Sequence, residues 1–148
     1  MLGDKNTPIA QRLNAVANLI SRSALRQYPP ATRLKTVEAR TLHGVGLYGD
    51  NAVREVARLI NINEAQVSVA IKTLTARGYV KSIVDAKDRR RKLLALTPSG
   101  KKVFRTVDKI LQFRHDQILD GISAADQKKF FTLLEHVAKN ANKMLEIK

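Results

Sequence analysis

Four consecutive cations, from Arg89 to Lys92, follow Asp88 in the segment DAKDRRRKLLALTPSG (residues 85–100). Such cations can neutralise the phosphates of a polyanion, and a weakly hydrated guanidinium enters a narrow, negatively charged DNA minor groove more readily than an ammonium does. A run of like charges is equally typical of a solvated surface. The elements that position the segment therefore decide which of the two interpretations applies.

The whole chain is strongly basic. Its 148 residues include 27 Lys and Arg against 13 Asp and Glu, which gives a net charge of +14. Residues 72–109 contain twelve of the cations and three of the acids, so the positive field is concentrated in about a quarter of the chain. A surplus of this size favours a polyanionic partner, and nucleic acid is the first candidate. The length predicts one domain over residues 1–148.

The sequence offers little for catalysis or metal binding. It has no cysteine, its three histidines (His43, His115 and His136) lack the paired spacing of a zinc site, and it contains no glycine-rich phosphate loop or nucleophile elbow. We therefore predict no enzyme, no metal site and no cofactor. The first twenty residues lack the apolar core of a signal peptide, and no segment approaches the ~20 apolar residues of a membrane span, which predicts a cytoplasmic protein.

The first half of the chain predicts helices. Thr7-Pro8 is typical of a helix start, and apolar residues then recur on one face, which predicts a first helix from about Pro8 to Arg26. A short second helix follows Pro29-Pro30, and its glycines at 44, 46 and 49 are expected to end it. Asn51 is expected to cap a third helix that stops at Asn61.

A helix-turn-helix follows directly from the third helix. Asn63 and Gln66 have the spacing of a capping box, and Gly78 provides the C-terminal stop of the fourth helix. Its inward stripe is predicted to be Val67, Ala70, Ile71 and Leu74. Two strand-like runs, 79–84 and 92–96, are joined by the charged loop and predict a hairpin. The outline is that of a winged helix, mainly α with a small β-hairpin wing.

Two further helices complete the chain. Thr97-Pro98 predicts the start of a long helix to about Leu119, and Gly121 ends it. Ser123 and Asp126 predict the start of a last helix. Three long helices beside a small winged-helix core expose more apolar surface than that core can cover, which favours a homodimer. The residues expected to divide between core and interface are Ile9, Leu13, Val107, Leu111, Leu133, Leu134 and Val137.

The second helix of a helix-turn-helix enters the major groove of duplex DNA, where all four base pairs can be distinguished. Helical periodicity places a set of small and polar residues opposite the inward stripe, although any amphipathic helix has such a face. The residues predicted to contact DNA on this helix are Ala65, Gln66, Ser68, Val69, Lys72 and Thr73, and those on the hairpin loop are Lys87, Asp88, Arg89, Arg90 and Arg91. A glutamine at this position can pair with adenine, and Lys72 can reach guanine or phosphate.

The stretch from Asn63 to Val80, followed by Asp88-Arg89-Arg90 and then by Leu96-Thr97-Pro98-Ser99-Gly100, resembles the MarR (multiple antibiotic resistance regulator) family over essentially the whole chain. The resemblance implies that Arg90 enters the minor groove and that Asp88 braces the wing. It also implies a winged-helix core at about 34–97 and a homodimer formed by helices at about 8–26 and 97–146. The recognition helix has only two cations, Lys72 and Arg77, fewer than many relatives.

Family members respond to aromatic acids, acyl-CoA thioesters, metals or oxidants, and the missing cysteine removes thiol-based oxidant sensing. By resemblance, an effector pocket lies between the dimerisation helices and the winged-helix core. Arg26, Tyr28, His43 and Tyr48 are its candidate residues, and the alternative is that they pack or cap helix ends.

Three hypotheses follow. The leading one is a sequence-specific, double-stranded DNA-binding transcriptional repressor, released from a pseudo-palindromic operator by a small aromatic acid or its CoA thioester. The second is a nonspecific architectural protein that coats nucleic acid through charge, for which a capped recognition helix is superfluous. The third, a small basic enzyme acting on an acidic metabolite, has no support from any motif.

Overall fold

The computed structural model describes residue 4 and residues 6–24 and 32–146. The helices of these ranges are α1 (Ile9–Ala24), α2 (Thr36–Tyr48), α3 (Val53–Leu59), α4 (Glu64–Ala76), α5 (Pro98–Ile118) and α6 (Ala124–Glu146), and the strands are β1 (Val80–Val84) and β2 (Lys92–Leu96). The chain divides into two compact units, Met1–Leu111 and Gln112–Lys148. The predicted fold class, mainly helical with one β-hairpin wing, is confirmed.

The core of the first unit is built from the apolar faces of α2, α3, α4 and the hairpin. Its members become fully buried because each helix contributes one stripe and the hairpin closes one side. Buried members include Leu34, Leu42, Val45, Val56, Val67, Leu74, Val80, Leu94 and Val107. The predicted inward stripe of α4 is confirmed, since Val67, Ala70, Ile71 and Leu74 are all buried.

The turn between α3 and α4 forms at the predicted residues, but Asn63 caps α4 through a single bond rather than through the predicted capping box with Gln66. Asn61 adopts a left-handed conformation with φ of 50°, which asparagine tolerates better than most residues. The carboxamide oxygen of Asn63 then accepts a hydrogen bond of 2.9 Å from the amide of Ala65, one residue earlier than predicted. Gly78 ends the segment with φ of 70°. The helix-turn-helix is thus fixed by local caps at both ends of α4.

The second helix is longer than the sequence suggested. We expected Gly44 and Gly46 to end it, but α2 continues through both and stops at Gly49. A Cβ atom at Gly44 would overlap the Ile60 side chain, and one at Gly46 would overlap the Phe104 ring. The prediction was wrong because these glycines permit close packing between helices rather than a turn.

Substituting Gly46 by Ala is expected to lower the free energy of unfolding by about 1–2 kcal/mol, because overpacking against Phe104 exceeds the gain in helix propensity. Adding Phe104→Leu should recover part of this loss, since the overlap is with a side chain that can be shortened. Denaturant titration of the two single variants and the double variant measures the coupling. Additive losses would contradict the packing role assigned to Gly46.

The cap of α3 also differs from the prediction. The helix begins after Ala52, whose amide donates to Oε2 of Glu55 at 2.9 Å. Asn51 instead forms an antiparallel bridge with Leu94 of β2, and its carbonyl oxygen accepts from the Leu94 amide at 3.0 Å. Its side chain donates to the carbonyl oxygens of Tyr48 and Gly49. Asn51 therefore joins the start of α3 to the hairpin rather than capping the helix.

The hairpin and the start of α5 are as predicted. Strands β1 and β2 are antiparallel, with Val80 opposite Leu96 and Val84 opposite Lys92. The hydroxyl of Thr97 accepts from the amide of Gly100 at 3.0 Å, so it caps α5. That hydroxyl also donates to the carbonyl oxygen of Gly78 at 2.6 Å. One threonine thus fixes the junction between the hairpin and the helix.

The second unit contains the last residues of α5 and the whole of α6. Gly121 lies between the helices with φ of 77°. The Ser123 hydroxyl accepts from the Asp126 amide at 3.2 Å and donates to its carboxylate at 2.7 Å, so the predicted cap of the last helix is present. No helix in the part of the chain that the structure describes is long and apolar enough to cross a membrane.

Candidate nucleic-acid interface

Helix α4 presents one side to the core and the opposite side to solvent. Of the residues predicted to contact DNA, Ala65, Gln66, Val69 and Lys72 are exposed, while Ser68 and Thr73 are half-buried. Val69 is 64% exposed, whereas the other large apolar side chains of this helix, Val67, Ile71 and Leu74, are buried. An exposed aliphatic group beside Gln66 suits contact with a thymine methyl next to a hydrogen-bonded base.

Some of these residues lie together in a groove along α4. The groove has a volume of about 720 Å³, is predominantly apolar, and lies between α4 and the start of α2. Ala65, Gln66, Val69 and Thr73 line it, whereas Ser68 and Lys72 do not. The Thr73 hydroxyl donates to the carbonyl oxygen of Val69 at 3.3 Å, so it can still accept a hydrogen bond from a ligand.

Hydrogen bonds within the wing loop give it a defined shape. The amide of Lys87 donates to the carboxylate of Asp85 at 2.8 Å, and the amide of Arg90 donates to that of Asp88 at 3.0 Å. Backbone bonds close the loop, from the Arg91 amide to the Asp88 carbonyl and from the Asp85 amide to the Arg91 carbonyl. Asp88 thus holds the backbone of the residue whose guanidinium is the predicted minor-groove contact.

The wing cations are not equivalent. Arg91 donates to Oε1 of Glu55 at 2.7 Å, which joins the wing to α3. The pKa of Glu55 is lowered mainly by the hydrogen bond from the Ala52 amide, and further by the positive charges of Arg91 and Arg58. Glu55 is therefore ionised at neutral pH, and one of the predicted phosphate contacts already has a carboxylate partner.

Arg89 and Arg90 differ from Arg91 in this respect. Both are exposed, and neither guanidinium has a hydrogen-bond or ion-pair partner among the residues that the structure describes. Lys87 is exposed as well. The wing therefore presents two arginines whose charge is available to an external anion.

Residues 34–100 match the family model described as a winged helix DNA-binding domain. The fold also superposes on the MarR/EmrR family transcriptional regulator from Acinetobacter sp. ADP1 with a TM-score of 0.83, at 19% identity, over 90% of this chain and 94% of that one. The chain is a winged helix-turn-helix protein with the MarR fold. The S. aureus MepR–DNA complex has the same MarR fold, with a TM-score of 0.81, 15% identity, and 93% and 99% of the two chains covered.

Sequence relatives agree with this fold. The uncharacterized HTH-type transcriptional regulator YwaE of Bacillus subtilis (strain 168) is 28% identical over 99 residues, which are 67% of this chain and 58% of the relative. The chain spans about three fifths of the length of the curated relatives it matches.

Of the four candidate effector residues in this MarR-fold chain, the structure describes His43 and Tyr48. Arg26 and Tyr28 lie outside the described residues. His43 Nε2 is 3.0 Å from Oδ1 of Asp108, and its ring stacks on Phe104 with centroids 5.3 Å apart. Tyr48 is the last residue of α2, five positions beyond His43 and hence on a different face of the helix. These contacts of His43 join α2 to α5.

A cavity that the sequence analysis missed lies at the end of α1. It has a volume of about 520 Å³ and is lined by Asn18, Ser21, Arg22 and Thr36. The hydroxyl oxygen of Thr36 is buried and has no hydrogen-bond partner among the described residues. The spacing of Asn18, Ser21 and Arg22 (i, i+3, i+4) places them on one helical face. This polar patch is the sequence pattern from which the cavity could have been predicted.

Proposed function

We propose that the protein is a transcriptional regulator of the MarR type that binds a specific double-stranded DNA operator in the cytoplasm. The observation that carries the proposal is helix α4, which buries Val67, Ala70, Ile71 and Leu74 and exposes most of the predicted DNA contacts on its other side. The adjoining hairpin supplies Arg89 and Arg90, which have no ion-pair partner among the described residues, for phosphate or minor-groove contact. The net charge of +14 favours the encounter with DNA.

The proposed regulator acts as a homodimer. In the first unit, α1 exposes the apolar residues Ile9, Leu13, Val16 and Leu19, which recur on one helical face. In the second unit, α6 exposes Phe130, Leu133 and Leu134 at the same kind of spacing. Exposed apolar stripes of this length favour association. A two-fold dimer would place two recognition helices about one DNA turn apart and read a pseudo-palindromic operator.

The proposed effector is an aromatic acid or its CoA thioester that releases the protein from DNA. The cavity beside Arg22 supports an anionic ligand, because it combines a guanidinium with the amide of Asn18 and two hydroxyl groups. Arg26, Tyr28, His43 and Tyr48 remain candidates for the same ligand. An effector releases the operator only if it binds the free conformation more tightly than the DNA-bound one.

A binding titration on the DNA that flanks the protein's own gene tests this function. We expect tighter binding to that DNA than to a shuffled duplex of the same composition, and a steep loss of affinity as salt increases. Aromatic acids and their CoA thioesters, added as a panel, should weaken binding. Equal affinity for both duplexes would favour the nonspecific architectural protein and contradict the proposed regulator.

Gln66→Ala is expected to change base preference rather than overall affinity. Loss of a bidentate contact to adenine should reduce discrimination at one operator position by about 1–2 kcal/mol while leaving the salt dependence unchanged. Binding to a set of single-base operator variants measures this. Thr75→Ala, an exposed substitution nine residues along α4 and on its opposite side, is the matched control. Uniform weakening across all variants would contradict a base-reading role.

A further inference from the structure

Glu55 makes two interactions that serve different elements. Oε2 accepts from the Ala52 amide at 2.9 Å and so caps α3, while Oε1 accepts from Arg91 at 2.7 Å. Both side chains of the ion pair are partly exposed. A carboxylate used in this way connects the helix-turn-helix directly to the wing.

The wing is attached to α3 at two levels. At the strand, the backbone of Asn51 bridges Leu94. Beyond the strand, the Arg91 side chain reaches Glu55, and the Arg91 backbone closes the loop through its bonds to Asp85 and Asp88. Since Arg91 immediately follows Arg90 in the closed loop, fixing one residue limits the positions available to the other.

We propose that Glu55 is a positioning residue for DNA binding, which holds the wing through Arg91 so that Arg90 is presented to the minor groove. The proposal rests on the proposed function. In this proposal Arg91 pairs with Glu55 and holds the wing, and it does not contact a DNA phosphate. Arg90, its neighbour in the same basic run, contacts the DNA. Preorganising the loop reduces the entropy lost when Arg90 binds.

The direction in which Glu55→Gln changes the affinity for DNA distinguishes a positioning role of Glu55 from a purely electrostatic one. Glu55 is an acid close to cations that attract DNA, so its charge by itself opposes the approach of a polyanion. If Glu55 acted only through this charge, Glu55→Gln would tighten binding. If it positions the wing, the same substitution loosens the tie to Arg91 and weakens binding. The glutamine oxygen can still accept from the Ala52 amide, so the cap of α3 is kept.

The experiment compares operator affinity and its salt dependence for E55Q, R91A and the double variant. We expect each single variant to bind about three- to fivefold more weakly, in line with an exposed ion pair, and the double variant to bind no more weakly than either. The slope of affinity against salt should not change in R91A, since Arg91 makes no phosphate contact. Glu64→Gln, another exposed acid on the first turn of α4, is the control and should bind equally or more tightly.

Three results would overturn the proposal: E55Q binding as tightly as the unmodified protein, additive losses in the double variant, or a salt slope reduced by about one in R91A. A second readout needs no DNA. Amide hydrogen exchange of residues 86–90 should accelerate in E55Q and R91A while the melting temperature changes little. Unchanged exchange rates would also contradict the proposal that the Glu55–Arg91 pair holds the wing. If the unmodified protein bound no duplex at all, the proposed function would fail, and the exchange result would still decide the tie.

Discussion

Arg90→Ala is expected to weaken binding to the proposed operator by roughly 10- to 100-fold at physiological salt, which corresponds to about 1–3 kcal/mol for one inserted arginine. The loss extends to many sequences, because a minor-groove guanidinium responds to groove width and negative potential more than to individual base pairs. The slope of log affinity against log salt falls by about one. Fluorescence anisotropy with operator DNA over a range of salt concentrations measures both quantities.

Two variants test whether binding requires the guanidinium group of Arg90, or only a positive charge there or at a neighbouring position. Arg90→Lys keeps the salt slope but recovers only part of the affinity, because an ammonium is more strongly hydrated in a narrow groove. Arg89→Ala, at the adjacent and also exposed position, is expected to have a smaller effect on affinity. If R90A retained full affinity at physiological salt, the assignment of the wing tip to the minor groove would be wrong.

The features predicted well from the sequence are those fixed by residues close together in the chain. The turn at Asn61, the cap at Asn63 and the stop at Gly78 each depend on one residue and its immediate neighbours. The same holds for Thr97, whose hydroxyl accepts from an amide three residues away. Local hydrogen bonds of this kind require particular residue types at fixed spacing, which can be recognised in the sequence. The element order and the fold class could therefore be predicted from them.

The failures involve contacts between residues far apart in the chain. Gly46 looked like a helix breaker, but its partner Phe104 lies 58 positions away, and only that contact explains the glycine. Asn51 looked like a cap because of its type, but its backbone pairs with Leu94 of the second strand. Local propensity does not contain this information, and tertiary packing overrode it.

The cap of α3 shows where a local signal was overlooked. Ala52 is a poor capping residue by type, but Glu55 follows it by three positions and reaches back to its amide. The same arrangement begins α2, where Oε2 of Glu38 accepts from the Lys35 amide at 3.0 Å. A glutamate at the third helical position was therefore the better marker in both helices. The ion pair between Glu55 and Arg91 had no comparable signal, because 36 residues separate its members.

The final glycine of the LTPSG segment is the position where a small change should have the largest effect on stability. Gly100 is buried on the first turn of α5, and a Cβ atom there would overlap the carbonyl group of Tyr79. That carbonyl oxygen already accepts from the Thr97 amide at 3.0 Å. The obstacle is backbone held in place by the junction between the hairpin and the helix, so no side chain can move aside to relieve it.

Gly100→Ala is therefore expected to lower the free energy of unfolding by about 3 kcal/mol, at the upper end of the range for overpacking, and to lower the melting temperature by roughly 10 °C. Shortening a side chain does not rescue it, in contrast to Gly46→Ala, where Phe104 can be replaced. Lys101→Ala, at the adjacent exposed position, is the matched control and changes stability by less than about 0.5 kcal/mol. Thermal and denaturant unfolding measure the difference. A G100A variant as stable as the control would mean that α5 can move away from Tyr79. It would contradict the conclusion that this close approach requires glycine at position 100.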